Sequence, residues 1–114
     1  MKTIIYHNPR CSKSREALCM LEEEGADIHI IEYLKETPNE EELADLIKML
    51  GIKPFDLIRK SEDLYKLKYK DKKKSPKEWI KVMVKNPVLI ERPIVVKENQ
   101  AIIGRPPILV KDLL

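Results

Sequence analysis

The spacing of apolar and polar positions changes several times along the chain, and each change marks an element. Ile4-Ile5-Tyr6 is a short β-branched and aromatic run that predicts a strand. From about Ser12 to Glu24 the apolar positions Ala17, Leu18 and Leu21 recur at helical spacing, and Gly25 follows as a residue suited to the left-handed position beyond a helix end. Asp27-Ile28-His29-Ile30-Ile31-Glu32-Tyr33 is again rich in β-branched residues and predicts a second strand. Strand, helix, strand in this order predicts a β-α-β unit, with parallel strands and a right-handed crossover.

The middle of the chain is helical in pattern. In Thr37-Pro38-Asn39-Glu40 the threonine reads as the cap, the proline as the first helical position and the glutamate as the residue three after the cap. Leu43, Leu46, Ile47 and Leu50 continue at helical spacing until Gly51, Pro54 opens a short helix through Ile58, and Ser75-Pro76-Lys77-Glu78 repeats the capping signature before Trp79, Ile80 and Met83. Beyond this block, Ile94-Val95-Val96 and Ala101-Ile102-Ile103 flank the turn-compatible Lys97-Glu98-Asn99-Gln100 as a hairpin, and Ile108 to Leu114 reads as a terminal helix. A β-α-β half followed by a β-β-α half is the order of a thioredoxin-like sheet. The expected fold is therefore α/β, a mixed four-stranded sheet with a helical insertion at about 38–90 between the halves. No repeat or linker argues for a second domain, so residues 1–114 are expected to form one.

Composition narrows the class of function. With 43% hydrophobic residues the chain is not generally disordered, and no apolar run approaches the ~20 residues that span a bilayer. Met1-Lys2 leads straight into the first strand pattern without an apolar leader segment, and two cysteines do not make a disulfide scaffold; the expected setting is a reducing cytoplasm. The net charge of +3, from 22 basic and 19 acidic residues, makes no claim for nucleic acid. Locally, Lys66 to Lys74 is lysine-rich and reads either as a solvated surface or as a site for an acidic partner. Two histidines and two cysteines without ligand spacing do not predict a metal site.

The chemistry concentrates in Tyr6-His7-Asn8-Pro9-Arg10-Cys11-Ser12-Lys13-Ser14-Arg15, which places Cys11 where a strand turns into a helix. The first amides of a helix lack intrahelical acceptors and carry partial positive charge, so a thiolate or an oxyanion is favoured there. Arg10, Lys13, Arg15 and His7 are candidate neighbours that would lower the thiol pKa further. Cys19 lies eight residues on, roughly 12 Å along the helix axis and beyond the ~7 Å Cα limit for a disulfide, and reads as core packing. Ser14 occupies the second position of a Cys-x-x-Cys pattern; its hydroxyl either donates to the thiolate or faces the first helical turn. A redox cycle through Cys11 therefore draws on an external thiol. His7 either orients the loop or bonds an acidic group. Arg59, Arg92 and Arg105 each sit beside apolar sequence: singly they read as surface residues, together as forks for a tetrahedral oxyanion.

These segments, with Leu57-Ile58-Arg59-Lys60, Asn86 through Val96 and Ile103-Gly104-Arg105-Pro106-Pro107, resemble the glutaredoxin-coupled arsenate reductases from end to end. The resemblance implies that Cys11 attacks arsenate or a related oxyanion, that Arg59, Arg92 and Arg105 hold it, that glutathione is the co-substrate and that glutaredoxin regenerates the enzyme. His7, Ser14, Arg15 and Pro93 fall in supporting positions. Pro93 stands just before a strand, where thioredoxin-like folds place a cis proline beside the active thiol. The same superfamily includes Spx-type regulators that bind RNA polymerase, whose common Cys-x-x-Cys is absent here. A general glutathione-dependent thiol-disulfide reductase is the other alternative.

Overall fold

The computed structural model describes residues 2–114. It comprises two compact units, one formed by 1–36 with 92–114 and the other by 37–91.

The first unit is built on four strands: β1 (Lys2–Tyr6), β2 (Asp27–Ile31), β3 (Ile94–Lys97) and β4 (Gln100–Ile103). Their order in the sheet is β2-β1-β3-β4, with β1 and β2 parallel and β1–β3 and β3–β4 antiparallel. This is the mixed sheet expected from the β-α-β and β-β-α halves. The crossover from β1 to β2 is helix α1 (Ser12–Glu23), which buries Ser14, Ala17 and Leu21. Ala17 and Leu21 meet Ile5 and Val95 from the sheet and Val110 and Leu113 from the chain end in one apolar cluster, with Leu18 partly buried against it. Gly25 follows α1 at φ 71°, the left-handed position expected of it.

Three expectations for this unit need correction. The second strand ends at Ile31, two residues early, because the Glu32 carbonyl accepts from the amides of Lys35 and Glu36 and turns the chain. Tyr33 is buried all the same. The chain end, Pro107–Leu113, is a 3₁₀ segment, with Leu109 N–H donating to Pro106 O and Leu114 N–H to Lys111 O. Cys19 is exposed on α1, not packed in the core. At about 100° per residue, a side chain two positions from Ala17 points to the opposite side of the helix.

The second unit contains α2 (Glu40–Leu50), a 3₁₀ turn Pro54–Leu57, a single π turn Tyr65–Tyr69 and α3 (Pro76–Lys85). The cap of α2 is Asn39, not Thr37: Glu42 N–H donates to Asn39 Oδ1 at 2.8 Å and Asn39 N–H donates to Glu42 Oε1 at 3.1 Å. Ser75 caps α3 as predicted, with Glu78 N–H donating to its hydroxyl and its own N–H to the Glu78 carboxylate. Gly51 ends α2 at φ 69°. Phe55, Tyr65, Tyr69 and Trp79 form a chain of ring contacts, the closest being Phe55 with Trp79 at 5.2 Å between centroids. An isolated bridge between Ile58 and Ile90 ties two loops together, with Arg59 N–H donating to Leu89 O and Glu91 N–H to Leu57 O.

Candidate active site

The sheet register explains why distant segments share one end of the first unit. Tyr6 pairs with Ile31 and with Ile94, and Ile94 pairs with Ile103. The loop that follows β1, the residues that precede β3 and those that follow β4 therefore emerge at the same edge. They are 7–11, 92–93 and 104–105.

The loop is fixed largely by its own backbone. His7 N–H donates to Ile31 O, continuing the ladder beyond β1, and Cys11 N–H donates to Asn8 O. The Asn8 side chain accepts from Arg10 N–H at 3.0 Å, an Asx turn. Ser14, fully buried on the first turn of α1, reaches back to the loop: Asn8 N–H donates to its Oγ at 3.0 Å, and His7 Nδ1 lies 2.6 Å from the same oxygen. Arg15 Nη1 donates to Pro9 O at 3.0 Å. Burial pushes the His7 imidazole down; the Glu32 carboxylate opposes this and the Arg15 charge adds to it, leaving the ring below its ordinary pKa.

Cys11 is thereby set at the N-cap of α1, with extended backbone and its carbonyl accepting from Arg15 N–H. Its thiol is partly exposed. Burial alone would push the thiol up, but hydrogen bonds from the Ser14 amide and the Arg92 guanidinium, the Arg92 charge and the Lys13 amide outweigh it. The net direction is down. Arg105 Nη1 is 3.8 Å from Sγ and also donates to Arg92 O at 3.1 Å, so the two arginines are linked beside one sulfur. The Arg92–Pro93 and Arg105–Pro106 peptide bonds are cis. Gly104 N–H donates to Pro93 O. A Cβ at Gly104 would meet Pro93 Cγ and Val110 Cγ1 at 3.1 Å each, so a larger residue would push these neighbours aside.

The structure thus gathers Cys11, His7, Ser14, Arg15, Arg92, Pro93 and Arg105 within the first unit. The Ser14 hydroxyl is spent on His7 and Asn8 rather than on the sulfur; only its amide serves the thiolate. Arg59 belongs to the second unit, where Nη1 donates to Glu91 Oε1 at 3.0 Å and Nε lies 3.4 Å from Glu62 Oε1. Asn8, Glu62 and Glu91 were not singled out from sequence. The Asn-Pro pair was a turn signal that could have pointed to Asn8, whereas the pairing of Arg59 with Glu91 spans 32 residues and had no local sign. Among the described residues, no group of three histidine, cysteine or carboxylate side chains is placed to hold a metal ion, and no helix is long and apolar enough to cross a membrane.

Comparison with known proteins places this geometry in context. Residues 6–113 match the ArsC family. The chain is 47% identical to the Escherichia coli protein named "Uncharacterized protein YfgD", over 96% of this chain and 94% of that one. It is 42% identical to the arsenate reductase of Haemophilus influenzae over the full length of both. The solved arsenate reductase from Vibrio cholerae superposes with a TM-score of 0.95 at 45% identity, covering all of this chain and 98% of that one. The mixed four-stranded sheet is that of a thiol-dependent reductase fold, and the chain belongs to the ArsC family.

Proposed function

We propose that this chain reduces arsenate to arsenite, with Cys11 as nucleophile, glutathione as co-substrate and glutaredoxin as the protein that restores the thiol. The observation that carries the reading is the sulfur at the N-cap of α1, held below its ordinary pKa with two guanidinium groups beside it. The names of the Haemophilus and Vibrio relatives support arsenate as the oxyanion.

In this reading the thiolate attacks arsenic(V), an S–As bond forms, and one oxygen leaves as water after taking up protons. The glutathione thiol supplies the second sulfur. Arsenic gains two electrons and leaves as arsenite, while the two sulfurs end as a disulfide that glutaredoxin reduces. Arg92 and Arg105 offer donors to the remaining oxygens and stabilise the charge that builds on them. Arg59 enters as a third oxyanion ligand on its sequence motif; its two carboxylate partners use only part of its fork, which carries five N–H donors. His7, Ser14 and Arg15 position the loop, and Pro93 follows Arg92 through a cis peptide bond. Cys19 has no part in the cycle, and the expected location is the cytoplasm.

A coupled assay tests the reading. Purified chain, glutathione, glutaredoxin and glutathione reductase are combined, and NADPH oxidation is followed with arsenate or with a glutathione mixed disulfide as acceptor. Oxidation that depends on arsenate is expected, falling about a thousandfold or more in Cys11→Ser. Turnover of the mixed disulfide without any response to arsenate would replace this function with general thiol-disulfide reduction.

A further inference from the structure

The lysine-rich stretch lies in the second unit, and Cys11 in the first. Between residues 66 and 77 seven lysines stand against one carboxylate, Asp71. In the second unit this segment borders a cavity of about 330 Å³ lined by Pro54, Phe55, Pro76 and Trp79. Lys53, Lys72, Lys73 and Lys74 complete the lining, so an apolar recess is rimmed by four cations. Lys53, Lys72 and Lys73 are exposed and, among the described residues, form no salt bridge; Lys74 lies 6.0 Å from the Tyr69 ring centroid and near Glu78. The Glu78 carboxylate accepts from Ser75 N–H and offsets part of the Lys74 charge, which leaves Lys53, Lys72 and Lys73 as the rim cations that form no salt bridge among the described residues. Beneath, Phe55 and Trp79 are held by their ring contact and by Lys60, whose Nζ sits 4.3 Å over the Phe55 ring and donates to Phe55 O.

We infer that this recess docks an acidic peptide segment of a partner protein, one apolar side chain entering the cavity while flanking carboxylates meet the lysines. The volume lies in the range of ligand pockets, about 300–1,000 Å³, and accommodates a leucine-sized side chain. Ammonium groups on flexible stems suit carboxylates spaced along a peptide, whereas no arginine fork lines the recess to grip a phosphate. Trp79 is 4% exposed, so its face is closed to a stacking base, and the whole chain carries only +3. Both facts favour a peptide over a nucleic acid. The inference does not depend on the thiol chemistry.

Trp79 is the only tryptophan of the chain and reports on the site directly. The full-length protein is titrated with a dye-labelled oligoglutamate peptide carrying one central leucine, with anisotropy for binding and Trp79 emission for location. Saturable binding with a change in emission is expected. It should weaken about tenfold in K72E/K73E and similarly in K53E, changes at exposed positions that leave Cys11 alkylation unaltered. Replacing the leucine by glutamate should also weaken it about tenfold or more. Absence of binding, binding indifferent to both charge reversals, or tighter binding of oligothymidylate than of the peptide would overturn the inference.

Discussion

Cys11 and Cys19 sit eight positions apart at and along one helix, and their surroundings push the two thiols in opposite directions. At Cys11 the amides of Lys13 and Ser14 and the Arg92 guanidinium stabilise the charged form. At Cys19 the thiol donates to Glu23 Oε1 at 3.5 Å and faces a carboxylate charge, which holds the proton on. Alkylation followed by peptide mapping across pH should give Cys11 a midpoint below the value of about 8.5 for a free cysteine and Cys19 one above it. Replacing Arg92 by alanine removes a hydrogen bond and a charge from the sulfur, so the Cys11 midpoint should rise. Arg105→Ala should lower kcat/KM for arsenate by about a hundredfold or more, the usual size for one lost oxyanion donor. The Cys11 position was legible in sequence because strand, loop and helix are local signals. The exposure of Cys19 was legible in principle too: the apolar positions 17 and 21 define a face that excludes 19, but the usual burial of cysteine outweighed that geometry.

At the scale of elements, capping sequences decide where helices begin, and their legibility depends on uniqueness. Ser75-Pro76-Lys77-Glu78 offers one register, and the observed cap is the predicted one. Thr37 to Glu42 offers two overlapping registers, three residues from cap to glutamate in each, and Asn39 with Glu42 prevails over Thr37 with Glu40. Single-residue signals could not separate them. The π turn Tyr65–Tyr69 and the 3₁₀ chain end were beyond reach for another reason: i→i+3, i→i+4 and i→i+5 bonding differ in tertiary fit more than in local composition. Ser75→Ala should destabilise the protein by about 1 kcal/mol in denaturant unfolding, the typical cost of a lost N-cap. The Ser75 amide, and then its hydroxyl, holds the Glu78 carboxyl below its ordinary pKa. Its stabilising effect is therefore present above the unfolded carboxyl pKa and is lost as pH falls through the lower folded value. Acid unfolding of the natural chain and Glu78→Gln should differ least at the acid end of that window. Gly104→Ala sets a Cβ 3.1 Å from two buried neighbours, Pro93 and Val110, and should lower stability by about 1–3 kcal/mol together with activity, since the adjoining Arg92 and Arg105 reach the thiol.

At the scale of the molecule, the mixed sheet is the device that assembles the chemistry. Cys11 and Arg105 are 94 residues apart in sequence, yet the pairing of β1 with β3 and of β3 with β4 sends their segments off the same edge. The strand pattern could predict that sheet, because a β-α-β half and a β-β-α half admit few arrangements. It could not predict that Arg92 and Arg105 share the sulfur, or that Arg59 is paired with Glu62 and Glu91 in the other unit; such contacts depend on register and side-chain direction. The family resemblance supplied the arginine set that local patterns left open. The central claim, that one activated thiol of this chain initiates reduction of arsenate, is tested most directly by measuring arsenite released in the presence of glutathione and glutaredoxin by Cys11→Ser and Cys19→Ser side by side with the natural chain. Cys19→Ser is predicted to release arsenite at the natural rate and Cys11→Ser to release none above the protein-free background. Arsenite release by Cys11→Ser at the natural rate would contradict the account.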